Sequence, residues 1–177
     1  MLKLTIITEP ECWDSDVEQF IPEKSVIVEF EHSLLSISKW ESKWNIAFMS
    51  SDLDFEKLKS YAECMLLHED DLEYIDLMTN ENFDSIIKYI EKSQTATTIN
   101  YRGNAPKSSA GKIITSEQIY FQMFSNHIPL ECERWHLSRL VALLEVFNVS
   151  TDDRKMSKRE TAQYYASLNK ARRAKKK

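Results

Sequence analysis

A chain of 177 residues with only two glycines, Gly103 and Gly111, both in one polar segment, has little glycine punctuation with which to turn many strands. Sheets with several hairpins draw on glycine at their tight turns, whereas helices do without it. A mostly helical fold is the expectation, with the N-terminus as an exception. There Leu2, Leu4 and Ile6 alternate with Lys3 and Thr5, and Val26, Val28 and Phe30 alternate with Ile27 and Glu29. These period-2 segments predict two strands around a loop containing Pro10, Trp13 and Pro22. A two- or three-stranded sheet is expected, and since a two-stranded hairpin is marginal alone it must lean on helices.

From His32 the period becomes helical. Leu34, Ile37, Trp40 and Trp44 mark one face, then Phe55, Leu58, Ala62 and Met65, then Phe83, Ile86, Ile87 and Ile90. Residues 93–114 are rich in Ser, Thr, Asn and Gly and read as one long exposed connection. Thr115 and Gln118 have the spacing of a capping box opening a helix with Ile119, Tyr120, Met123 and Phe124. A break at 126–129 precedes a second apolar helix over 130–147, with Trp135, Leu140, Leu143, Leu144 and Phe147, and this pair is expected at the heart of the core. Ser157 with Glu160 opens a last helix through Tyr164, Tyr165 and Leu168. The fold class is therefore α+β and mostly α-helical. A small N-terminal antiparallel hairpin or sheet (1–31) packs on a helical part (32–149) and a basic C-terminal helix follows.

Charge divides the chain in the same place. Residues 152–177 carry ten Lys or Arg against three acids, net +7, so 1–151 carry 13 against 25, net −12, with a polar link at 150–154. Opposite charges on one small chain suit a protein that holds other macromolecules better than one that turns over a metabolite. With 42% hydrophobic residues the chain can bury one sizeable core, an acidic body with a basic appendage. No apolar run approaches the roughly 20 residues that span a bilayer, and MLKLTIITEPECWD alternates instead of forming a signal-peptide core. Cys12, Cys64 and Cys132 are odd in number and widely spaced, as reduced thiols are. A cytosolic protein without a membrane partner is expected.

The candidate chemical motifs are incomplete. In GNAPKSSAGKI seven residues separate Gly103 from Gly111, and Ile113 follows Lys112 where a phosphate loop needs a hydroxyl. Cys132 and His136 stand four apart on the predicted helix, with His127 nearby, but lack a second ligand pair for zinc. Cys64 with His68 repeats the spacing without an orienting third group. Asp70 or Asp71 suits the cap of a helix starting at Leu72 better than a calcium loop. No catalytic residue, cofactor or metal is expected. Trp40 and Trp44 read first as a buried stripe. Nucleic acid is the serious competitor, through a helix-turn-helix over 115–148 or the basic tail, but LECER puts Glu131 and Glu133 at the start of the supposed recognition helix.

The strings EHSLLSISKWESKW (31–44), SEQIYFQMFSNHIPLECERWHLSRLVALLEVFN (116–148) and KMSKRETAQYYASLNKARRAKKK (155–177), with Trp13, Asp14 and the Thr-Ala-Thr of 95–97, resemble the tail assembly chaperones of long-tailed bacteriophages. The likeness extends over most of the chain and is strongest in EHS-to-SKW and in IPLECERWHLSRL (128–140). It implies a non-enzymatic role in the host bacterial cytoplasm. Such proteins coat the helical tape measure protein, help tail tube subunits assemble around it, and are absent from the mature virion.

On that reading the binding surface comprises Trp40, Trp44, Tyr120, Met123 and Phe124, with Arg159, Tyr164, Tyr165, Arg172 and Arg173 as a second contact. A structural virion component or a nucleic-acid binder acting through the tail are the alternatives. Body and tail of opposite sign also permit head-to-tail homo-oligomers. The resemblance further implies a frameshifted longer form, for which the codons of Lys175, Lys176 and Lys177 would supply the slippage site.

Overall fold

The computed structural model describes residues 1–15, 18–98 and 114–151, the side chains of 149–151 excepted. One compact unit is Met1–Val146, and a second is Phe147–Lys177. The basic tail, with the helix expected from Ser157, lies outside the described residues, as does most of the 93–114 connection.

The fold is α+β and mostly helical. Strands β1 (Leu2–Glu9) and β4 (Lys24–Phe30) pair antiparallel, with Leu4 opposite Val28 and Ile6 opposite Val26. Alternation buries Leu4, Ile6, Val28 and Phe30 and turns Lys3, Thr5, Ile7 and Ile27 outward. Ile7 pairs with Ser25 and Glu9 with Lys24, leaving Thr8 as the extra residue of a bulge.

The loop expected around Pro10, Trp13 and Pro22 is instead a second ladder, β2 (Cys12–Asp14) against β3 (Gln19–Ile21). Its pairs, Cys12 with Ile21, Trp13 with Phe20 and Asp14 with Gln19, keep the offset set by Glu9 and Lys24 beyond the bulge. The two ladders are thus one long hairpin. It is interrupted where Pro10 and Pro22, which have no N–H to donate, fall opposite Glu23 and Glu11.

Helix α1 (Leu34–Trp44) opens with a capping box in which the Ser33 side chain accepts from the Ser36 backbone, and the Ser36 side chain from that of Ser33. It ends on Asn45 at φ 55°, a left-handed cap that asparagine tolerates. Asp54 caps α2 (Phe55–Met65), and Thr79 with Asn82 boxes α3 (Asn80–Glu91). Between them Glu69–Leu77 is a 3₁₀ segment, so Asp70 and Asp71 sit in its first turn and do not cap a helix at Leu72.

Helix α4 (Ser116–Ser125) closes on a Schellman arrangement. Ile128 N–H donates to Met123 O at 2.9 Å and His127 N–H to Phe124 O at 3.2 Å. His127 takes the left-handed position at φ 55°. The single helix expected over 130–147 is not found. Leu130–Arg134 is a 3₁₀ turn, Trp135 is extended, and α5 runs Leu137–Thr151, past the expected end of the helical part.

The core lies between the inner sheet face and α1 to α3, where Trp40, Tyr61, Phe30, Leu34, Ile37, Met65 and Ile86 are almost fully buried. Each such side chain contributes about 1.5–3 kcal/mol on burial. Helix α1 packs on α2, on α4 and on the Leu130–Arg134 turn, so α1 is the hub. The last two helices, expected at the heart of the core, add Ile119, Met123, Leu137, Leu140 and Leu144 to it. Phe55 and Ile87, expected inside, are exposed, while Tyr89 takes a buried place on α3.

Candidate functional site

Among the described residues, buried polar side chains gather where β4 meets α1, at His32, Ser33, Ser36 and His136. His32 Nδ1 lies 2.5 Å from the Tyr61 hydroxyl, and the His32 ring stands edge-on to His136 with centroids 5.1 Å apart. Burial, with the neighbouring imidazole, holds His32 down at about 3, so it is neutral at pH 7. Burial likewise pushes the Tyr61 hydroxyl well above its ordinary range, so it stays protonated beside His32. His136 occupies the cap position of α5, since Arg139 and Leu140 N–H both donate to its carbonyl. Its Nδ1 accepts from Ser138 N–H at 3.3 Å and its Nε2 lies 3.3 Å from Tyr89 O. One neutral tautomer, with the proton on Nε2, satisfies both contacts. Burial lowers the His136 pKa, which favours that neutral form. The Tyr89 hydroxyl donates to Glu31 at 2.8 Å, and the Met1 ammonium pairs with Glu31 at 2.6 Å.

This arrangement binds the fold together. The backbone of Ser33 bridges to His136, and Leu137 N–H donates to His32 O at 2.8 Å. Residues 31–44 and 128–140, the two strongest strings of the phage resemblance, meet here. That pairing breaks the helix expected through 130–147, because His32 and Ser33 take the backbone of His136 and Leu137 into an extended contact. Cys132 and His136 therefore do not share a helix face, and Cys132 is buried in the 3₁₀ turn. The supposed recognition helix fails for the same reason, since LECER is not helical in the α sense.

The Cys64 and His68 pair also dissolves. Helix α2 ends at Met65 and His68 is extended, 3.8 Å from Glu29. Burial raises the Cys64 thiol pKa, which lowers its thiolate fraction. Among the described residues no three His, Cys, Asp or Glu side chains converge as metal ligands, and no helix is long and apolar enough to cross a membrane.

Glu41 forms a second buried node that sequence reasoning missed. Its Oε1 accepts from Phe48 N–H at 2.8 Å, and its Oε2 accepts from Ser116 N–H at 2.8 Å and the Ser116 hydroxyl at 2.5 Å. Thr115 makes no side-chain cap bond, so the predicted Thr115 and Gln118 box is replaced by a carboxylate from α1 at the N-terminus of α4. No local signal marks a cap supplied from 75 residues away.

The expected partner-binding residues separate sharply. Trp40 and Met123 are fully buried, so neither presents a surface. Trp40 donates to Lys57 O and packs edge-on against Phe48, whereas the Met123 carbonyl accepts from Ile128 N–H in the Schellman turn. Trp44 is half-buried and donates to Ser60. Tyr120 is half-buried, donates to Glu133 at 2.7 Å and stacks on Phe124. Phe124 is 59% exposed. Phe121, which the sequence reading omitted, is 71% exposed, and Leu130 follows at 48%. Helix α4 is therefore apolar on both sides: Ile119 and Met123 face the core while Phe121 and Phe124 meet solvent. Arg159, Tyr164, Tyr165, Arg172 and Arg173 lie outside the described residues.

An open groove of about 270 Å³ runs beside α5, lined by Thr95, Thr97, Trp135, Arg139, Leu143 and Val146. The Arg139 guanidinium stacks 4.0 Å over the Trp135 ring. A scan against protein-family models, a search of curated proteins and a search of solved structures each return no match to this chain.

Proposed function

We propose that the chain is a non-enzymatic tail assembly chaperone that binds the tape measure protein of a long-tailed bacteriophage in the host cytoplasm and assists tail tube assembly. The observation that carries the protein-binding part is the solvent face of α4, where Phe121 and Phe124 stand exposed at 71% and 59%. Large apolar side chains clustered on a folded surface suit an apolar helical stripe laid against them. A long helical client with few tertiary contacts offers such stripes. The phage assignment itself rests on the resemblance of the strings at 31–44, 116–148 and 155–177. The polar cluster around His32 and His136 enters as scaffold, since its members are engaged with one another.

Co-expression with the large helical protein encoded beside it tests the reading. The client becomes soluble and co-purifies at high salt, because an apolar contact survives screening. Recovery of nucleic acid in place of the client, lost with rising salt, would replace this reading with one in which the basic tail binds phosphates. Purified virions should lack the chain, and finding it there would make it a structural component.

A further inference from the structure

We propose that the hairpin arm over 9–24 is a docking site for the basic tail of a second copy of this chain, so that copies join head to tail. The inference stands apart from the client-binding reading because it uses neither α4 nor the groove beside α5. Among the described residues from Glu9 to Ser25 none is buried. The arm nevertheless carries Trp13 at 53% and Phe20 at 65% exposure, paired across the ladder with rings edge-to-face at 4.9 Å. That pair fixes a rigid aromatic platform away from the core, where it contributes little to folding and much to any contact that covers it.

Charge selects the occupant. Residues 9–24 hold six acids, Glu9, Glu11, Asp14, Asp16, Glu18 and Glu23, against one base, Lys24, which pairs with Glu9 at 2.7 Å, so the arm is net −5. Residues 152–177 hold ten Lys or Arg against three acids and bring Tyr164 and Tyr165 besides. Guanidinium groups stack on indole faces and pair with carboxylates, so a tail rich in Arg and Tyr fits an acidic arm that carries exposed Trp and Phe. Arm and tail are different patches, so the contact is heterologous and one copy leaves a free arm and a free tail for the next.

Complementation between full-length variants tests this. Trp13→Ser with Phe20→Ser disables the arm, and Arg172→Glu with Arg173→Glu disables the tail. Both sets avoid the described core, and far-UV circular dichroism checks the fold. Light scattering should find wild type in species larger than a monomer. Mass should fall as salt rises from about 0.1 M to about 1 M, where the screening length shortens from ~10 Å to ~3 Å. Each variant alone should lose that association, while a 1:1 mixture should form dimers, one intact arm taking one intact tail. Glu11→Lys with Glu23→Lys should repeat the arm result without removing an aromatic. A monomeric wild type at all concentrations, as when each tail binds its own arm, would overturn the proposal. So would variants that keep the wild-type mass, or a mixture that stays monomeric.

Discussion

Lowering the pH from 7 to 5 should cost this protein about 2 kcal/mol of stability through His32 alone. His32 is 4% exposed and is held down at about 3 by burial and the facing His136, against an ordinary value of 6.5. A depressed folded-state value means that the unfolded chain binds the proton more tightly. The contribution is therefore complete above about 6.5 and drains away as pH falls toward about 3. At pH 5 the unfolded imidazole lies about 1.5 units below its midpoint while the folded one remains neutral, and each unit is worth about 1.36 kcal/mol. His136, lowered by its own burial, adds in the same direction, and its protonation would also forfeit the acceptor that caps α5. Glu29, Asp54 and Glu117 are shifted down from carboxylate values, so their loss begins at more acidic pH and leaves this window to the histidines.

Urea melts at pH 7 and pH 5 read the difference directly, with equal m-values as the condition for comparison. His32→Phe should be less stable at pH 7, since the buried Tyr61 hydroxyl loses its hydrogen-bond partner, yet flatter in its pH dependence. Equal wild-type stability at the two pH values, or an undiminished slope in His32→Phe, would refute the reasoning.

Three further outcomes follow from local geometry. Glu41→Gln keeps one acceptor oxygen but turns its amide NH2 against either the Phe48 N–H or the Ser116 donors, and should cost about 2–4 kcal/mol by thermal or urea denaturation, with a larger loss for Glu41→Ala. His127→Gly should stabilise the protein by about 0.5–1 kcal/mol, because glycine enters the left-handed position at φ 55° without a Cβ penalty. A thiol reagent should label exposed Cys12 first, half-buried Cys64 more slowly because burial raises its pKa, and buried Cys132 only on unfolding.

What the sequence made legible was governed by local periodicity. Alternation over 2–6 and 26–30 located the main strands, and the helical period located α1 to α3, because those elements bury one face against their own neighbours. The failures arose where distant backbone took over. The apolar pattern of 128–147 runs unbroken through Trp135, since 3₁₀ and α turns both bring side chains inward, and only the pairing of Ser33 with His136 reveals the break. Thr115 has the right residue type for a cap, but its side chain makes no cap bond, and the first turn of α4 is held instead by Glu41, which accepts from Ser116 N–H. The outer hairpin was hidden by Pro10 and Pro22, which look like loop residues until the pairing offset aligns them across the same gap. Trp13 and Phe20, four residues inside each end of the 9–24 arm, were the cross-strand signal. Binding residues were least legible. Trp40 and Phe124 occupy equally apolar helical positions, yet Phe48 and Tyr61 cover the first side of α1, whereas Phe124 keeps 59% of its surface in water.

The most direct test of the central claim compares capture of the adjacent-encoded helical client by wild type and by the double variant Phe121→Ser, Phe124→Ser. Both rings are mostly exposed, so the variant should keep its thermal midpoint. Its capture of soluble client should fall about tenfold or more, equivalent to about 1.4 kcal/mol of lost contact. Undiminished capture by a folded variant would contradict the account and remove α4 as the client-binding face.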